Sequence, residues 1–209
     1  MIGIRDKARV LDELGDKVLE ALAASVTGAC KDFLRYQAAL PDFAAQASSR
    51  GSANWIHDRL WHHVRALLDD IDDVLLIDLG VTREVVLGGR YRIRMKRHHL
   101  PAQVATYPTQ TAMHFMSQAP EQLVLEGLEQ VNLIAGYVWF GDSAEIGTAV
   151  LSLRDGQDNV LWVHELPETD LDRSANVATP LPPRDEHENT QVRLRLERLR
   201  SDDPRSQEL

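Results

Sequence analysis

A single cysteine, Cys30, rules out an internal disulfide framework and any cysteine-rich zinc site. It sits in "SVTGACKDFL", a helical context in which a small core residue is the plain reading. Lysine is almost as scarce. Only Lys7, Lys17, Lys31 and Lys96 occur, none in an E-x-K, so the carboxylate-and-lysine cage of a restriction-type nuclease is missing. No G-x-G-x-x-G or Walker loop is present, which excludes P-loop ATP hydrolysis. No G-x-S-x-G appears, and Cys30 has no basic neighbour beyond Lys31, so nucleophilic catalysis has no visible centre. No apolar run approaches the ~20 residues that span a bilayer. The opening "MIGIRDKARVLDELGDKV" is charged throughout and lacks the apolar core of a signal peptide. The expected location is therefore cytoplasmic, away from membrane.

What remains is an ordinary globular composition. Hydrophobic residues make up 44% and charged residues 26% of 209, enough for a sizeable core. Val10, Leu11, Leu14, Val18, Leu19 and Leu22 form a helical stripe over residues 4–24. Gly28 reads as a break before a second helix, "CKDFLRYQAAL", which stops at Pro41. "DFAAQASSRGSAN" reads as a connection. A helix then starts at Ser52, with Ile56, Leu60, Val64, Leu67 and Ile71 toward the core.

After residue 80 the texture changes to strands. "REVVLGGRYRIRM" predicts a hairpin about Gly88-Gly89, and "TAVLSLRDGQDNVLWVHEL" a second one turning at "RDGQDN". "VNLIAGYVWF" is long enough for a central strand, and a short helix follows a cap at Thr109 or Thr111. The predicted fold class is α+β: N-terminal helices packed on an antiparallel sheet of about four or five strands built from hairpins. A flexible, Pro-rich, acidic C-terminal segment completes it. The predicted parts are a helical region at 1–50, an α+β core at 51–166, and an extended linker with a basic tail at 167–209. "VRLRLERLR" in that tail fits a strand or a short helix equally.

One feature stands out against the formal charge of −9. Arg90, Arg92, Arg94, Lys96 and His98 alternate along the predicted strand, so they share one face while Tyr91, Ile93 and Met95 share the other. Residues 81–100 hold six Arg or Lys against one Glu. A two-residue turn would set Leu87 opposite Arg90, Val85 opposite Arg92, and Glu84 on the other face opposite Ile93, leaving the arginines without a facing carboxylate. Something acidic is then expected over them. An internal cover is one candidate, since residues 165–190 carry seven Asp or Glu against two Arg. An external acidic partner, a protein surface or nucleic acid, is the other, because the planar arginine fork suits carboxylate and phosphate. His99, Tyr107 and Thr109 follow closely and, with the arginines, could cradle an anion at the next helix start.

Other constellations are weaker. Asp58 and His62 stand four apart on a helix, a spacing that serves a metal or a surface ion pair, and the ion pair is preferred for want of a third ligand. Asp155, Asp158 and Asn159 lack the spacing of a calcium loop and read as turn chemistry. Asp142 and Glu145 lack a companion lysine. No cofactor or metal is expected. The function these residues favour is a binding or regulatory protein that engages an acidic partner through a basic strand, in a homo-oligomer or hetero-complex. An antitoxin or defence-module accessory is such a protein. The alternative is a metal-independent RNase or phosphodiesterase with His98 or His99 as acid–base and Arg92 or Arg94 on the phosphate.

Overall fold

A computed structural model describes residues 5–80, 82–99, 103–118, 130–141 and 145–168. The segment expected to be flexible, 167–209, lies outside these apart from Pro167 and Glu168.

Four helices open the chain. α1 (Lys7–Leu14) starts at Asp6, whose carboxylate accepts from the N–H groups of Ala8 and Arg9 at 3.1 and 3.2 Å. It ends at Gly15, whose φ of 75° lies in the left-handed region that glycine enters without a Cβ clash. α2 (Asp16–Ala39) then runs unbroken through Gly28. The predicted break therefore falls at Gly15, and Gly28 has another use. A Cβ there would lie 2.8 Å from the His63 ring of α4 (Ser49–Leu68), so its absence lets the two helices pack closely.

The stretch expected to be a connection is mostly helical. Pro41 begins α3 (Pro41–Gln46) at the position where its missing N–H costs nothing. Ser48 caps α4 by accepting from Gly51 N at 3.0 Å, which starts that helix three residues before Ser52.

The sheet comprises β1 (Val74–Asp78), β2 (Arg83–Leu87), β3 (Tyr91–His99), β4 (Gln103–Val104), β5 (Val131–Phe140), β6 (Glu145–Arg154) and β7 (Val160–Glu165). Its order is β1-β2-β3-β5-β6-β7, with β4 paired to β3. The α+β class and the helices-on-sheet arrangement hold. The sheet is larger than four or five strands because β1 and β4 join it. It is also not wholly antiparallel: β5 lies parallel to β3, after the chain has passed through β4 and α5 (Gln110–Met116). Such a return requires an intervening crossover, which a hairpin pattern does not announce.

One hydrophobic cluster spans the chain from Val10 to Leu166 and joins the helices to one sheet face. Ile93, Met95, Leu133 and Leu151 meet Leu22, Ile56, Leu60 and Val64 there, each large side chain worth about 1.5–3 kcal/mol on full burial. On the opposite face α5 covers a smaller cluster of Val104, Phe115, Met116 and Ile134. The basic row of β3 lies on that second face. Among the described residues no helix is long and apolar enough to cross a membrane.

Candidate functional site

The β2–β3 hairpin decides what the arginines do. Gly88 and Gly89 both take positive φ, 56° and 69°, but Arg90 also stays out of the ladder. The loop is thus three residues long, and the pairs are Leu87 with Tyr91, Val85 with Ile93 and Glu84 with Arg94. A shift of one residue exchanges faces along a strand. Glu84 therefore joins the basic row and is fully buried.

Its Oε2 accepts from Arg92 Nε at 2.8 Å and also from Arg92 Nη2. Its Oε1 accepts from Arg94 Nε at 2.7 Å and Nη2 at 2.6 Å. The Arg94 guanidinium also stacks 3.9 Å from the Phe115 ring centroid. The expectation that no carboxylate neutralises these arginines is corrected: both are bound to Glu84. Arg90 is satisfied separately, its Nη1 donating to Glu13 Oε2 at 2.8 Å, which also accepts from the Tyr91 hydroxyl at 2.5 Å. Burial, and then this carboxylate, push the Tyr91 phenol pKa up.

His98 does not sit on an exposed strand end. It is 1% exposed, with Nε2 3.1 Å from Ser152 Oγ, and that hydroxyl donates to Ile134 O at 3.3 Å. Burial, reinforced by the nearby Arg154 charge, pulls its pKa down from 6.5 to about 4. A histidine kept neutral when folded but free to protonate when unfolded costs stability as pH falls below 6.5, until the folded form also protonates near 4. Urea unfolding is thus expected to lose roughly 3 kcal/mol through His98 across that window. His98→Gln should flatten the slope by about this amount, and an unchanged slope would contradict the burial account.

The remaining predicted residues scatter. Thr109 caps α5, its hydroxyl accepting from Ala112 N at 3.2 Å, and Tyr107 is 84% exposed. His99 is half-buried, its pKa lowered by burial and by Arg97. Arginine, histidine, Tyr107 and Thr109 do not converge on one cradle. Asp58 bonds Arg83 at 2.5 Å instead of pairing with His62. His63 meets Asp32 at 2.8 Å. Among the described residues no three His, Cys, Asp or Glu are grouped to hold a metal. Asp155 closes its turn by donating its N–H to Asn159 O at 3.0 Å, and its carboxylate accepts from Gln118 N at 3.2 Å. Asp142 and residues 169–190 of the acidic segment lie outside the described residues.

Lys96 leads to the site that does assemble. β2 meets β3 as far as Arg94, and β4 joins only from His98. Between them the edge of β3 opens into a notch of about 450 Å³ beneath α4. Asn54, His57 and Asp58 of α4 line it, with Arg83, Lys96 and Arg97. Arg83 is held by Asp58 and, at 3.6 Å, by Asp78. Lys96 is half-buried, and its ammonium forms no hydrogen bond or ion pair among the described residues. Burial, then the Arg94 charge, lower its pKa. Arg97 meets no carboxylate among those residues; it approaches Ser49 Oγ at 3.5 Å and the Trp139 ring at 5.8 Å.

His57 registers the local field. Burial lowers its pKa first, and the charges of Arg83 and Lys96 lower it further against the opposing pull of Asp58 and Asp78. Asn54, His57, Arg83 and Arg97 were not among the predicted site residues. One signal pointed to Arg97: it follows Lys96 directly, breaking the alternation, and at the open edge of β3 both residues line the notch. Compared with protein-family models, with curated proteins and with solved structures, the chain matches none.

Proposed function

We propose that this chain is a binding and regulatory protein that grips an acidic group of its partner in the notch on β3. One observation carries the reading: Arg90, Arg92 and Arg94 each have a carboxylate, whereas Lys96 and Arg97 line the notch with none among the described residues. Holding unpaired cations in a partly dry recess is costly, and such perturbed groups cluster where a ligand compensates them.

The two partners expected from the sequence separate on charge. A nucleic-acid track neutralises a run of phosphates, about 6–10 in strong binders. Here most of the basic row is already neutralised internally, in a chain of net charge −9, which favours a localised acidic group on a protein. The antitoxin or defence-accessory setting belongs to the same proposal. An arginine–histidine phosphodiesterase gains no support from His98, which is buried against Ser152.

A labelled glutamate-rich peptide and a single-stranded oligonucleotide test this. The peptide is expected to bind, and Lys96→Met with Arg97→Met to weaken it at least about tenfold, since a hydrogen bond to a charged group contributes roughly 1.5–3 kcal/mol. Oligonucleotide binding with a steep salt slope would instead make the partner a nucleic acid. Peptide binding indifferent to the double substitution would remove the notch from the reading.

A further inference from the structure

We infer that the notch is the seat of a phosphate monoester, with Lys96 and Arg97 meeting its charge and Asn54 and His57 its remaining oxygens. The inference rests on the reading that the notch takes an acidic group, and it narrows that group by charge, by shape and by size.

Charge comes first. Two cations line the notch without a carboxylate among the described residues, and a third, Arg83, is already held by Asp58 and Asp78. A phosphate monoester carries about −1.5 to −2 at neutral pH, whereas an ionised carboxylate carries a single negative charge. The monoester balances both cations at once.

Shape follows. The potential donors come from separate elements: Asn54 and His57 from α4 on one side, Lys96 and Arg97 from β3 on the other. Groups that surround a volume suit a tetrahedral anion with three free oxygens. A planar carboxylate has two oxygens and would leave some of them unmet.

Size gives the last limit. About 450 Å³ lies within the range of small-ligand pockets, so a phosphorylated side chain or a mononucleotide-sized molecule fits and a duplex does not. Lys96 is also too enclosed to serve as a general surface charge, since burial already works against its ammonium.

His57 supplies an internal reporter. The charged groups around it are Asp58 on its own helix, Asp78 on β1, Arg83 on β2 and Lys96 on β3. A bound anion would offset the two cations and favour the imidazolium, so binding takes up a proton there. Affinity for a non-titrating anion should then rise as pH is lowered from about 7.5 to about 5.5, around the ordinary histidine value.

The experiment uses the full chain, with the histidine ring resonances followed by NMR and affinities by calorimetry. The probes are inorganic phosphate, sulfate, a phosphoserine peptide, its serine and glutamate counterparts, and a nucleoside monophosphate. Phosphate and at least one phosphorylated probe are expected to move the His57 resonances and raise its pKa. Lys96→Met should weaken them at least about tenfold while melting no lower than wild type, because it removes an enclosed, unpaired charge. Arg97→Gln is the second variant if Lys96→Met does not fold, with the same loss expected.

Preference for the phosphoserine peptide makes the source a modified protein, and preference for the nucleotide a free small molecule; either supports the inference. Binding of the glutamate peptide with no response to any phosphate would overturn it and leave the acidic-partner reading standing. Silence at His57 with every probe would overturn both.

Discussion

Glu84→Ala is expected to destabilise the fold by about 3–5 kcal/mol, the range for breaking a buried ion pair by removing one partner. The carboxylate is fully buried, and Arg94, 16% exposed at its side chain, has little water to turn to. Total stability of a domain is commonly about 5–15 kcal/mol, so this loss is a large share of it. Glu84→Gln keeps the volume and one acceptor, and should cost less. The charge reversal Arg92→Glu with Arg94→Glu sharpens the point. On an exposed, unpaired row it would leave the fold intact; here it would bring three carboxylates together on the buried side of β2 and β3, and the protein should not fold. Urea titration at neutral pH reads all three variants, with the slope m checked so that only the midpoint is compared. A Glu84→Ala protein within about 1 kcal/mol of wild type would mean that this cluster does not hold the hairpin.

Gly136→Ala is expected to cost more than about 4 kcal/mol, an exceptional loss for one added methyl group. Gly136 sits in β5 directly across from Lys96 with φ of 153°, and a Cβ there would lie 1.8 Å from the Lys96 carbonyl oxygen. The obstacle is backbone, so no side-chain rotation relieves it, and the parallel pairing of β3 with β5 has to open. Because that carbonyl belongs to a residue lining the notch, anion binding should fall with the fold. The measurement is thermal and urea unfolding beside Gly156→Ala as a turn control, a glycine with φ of 99° and open space around it. If Gly136→Ala cost no more than the control, the parallel register of β3 and β5 would be wrong.

Much of the local structure was legible because it depends on neighbours in sequence. The helical stripe correctly buries Val10, Leu14, Val18 and Leu22, and the alternation correctly turns Tyr91, Ile93 and Met95 to the core. Thr109 as a cap, "RDGQDN" as a turn and residues 131–140 as a central strand follow from side-chain chemistry within a few residues. In the fourth helix Leu67 was expected inside, but it is 38% exposed while Leu68 is buried, a phase error of one residue. The short apolar "VLLID" of β1 carries no period long enough to separate strand from helix.

The candidate site depended on what periodicity does not contain. Two consecutive glycines suit a two-residue loop and a three-residue loop alike, and the difference moves Glu84 from one face of the sheet to the other. His98 alternates with half-buried arginines, yet it is fully buried because β4 and β5 flank it, one near in sequence and one beyond a crossover. The notch exists because β2 stops at one point along β3 and β4 begins at another, with α4 brought over the gap. The sequence by itself determined the class of fold, the faces of its regular elements and the presence of a surplus of cations on one strand. Tertiary structure decided which of those cations meet a carboxylate, since ion pairing depends on distance and register between strands, and neither is written in the order of residues along one of them.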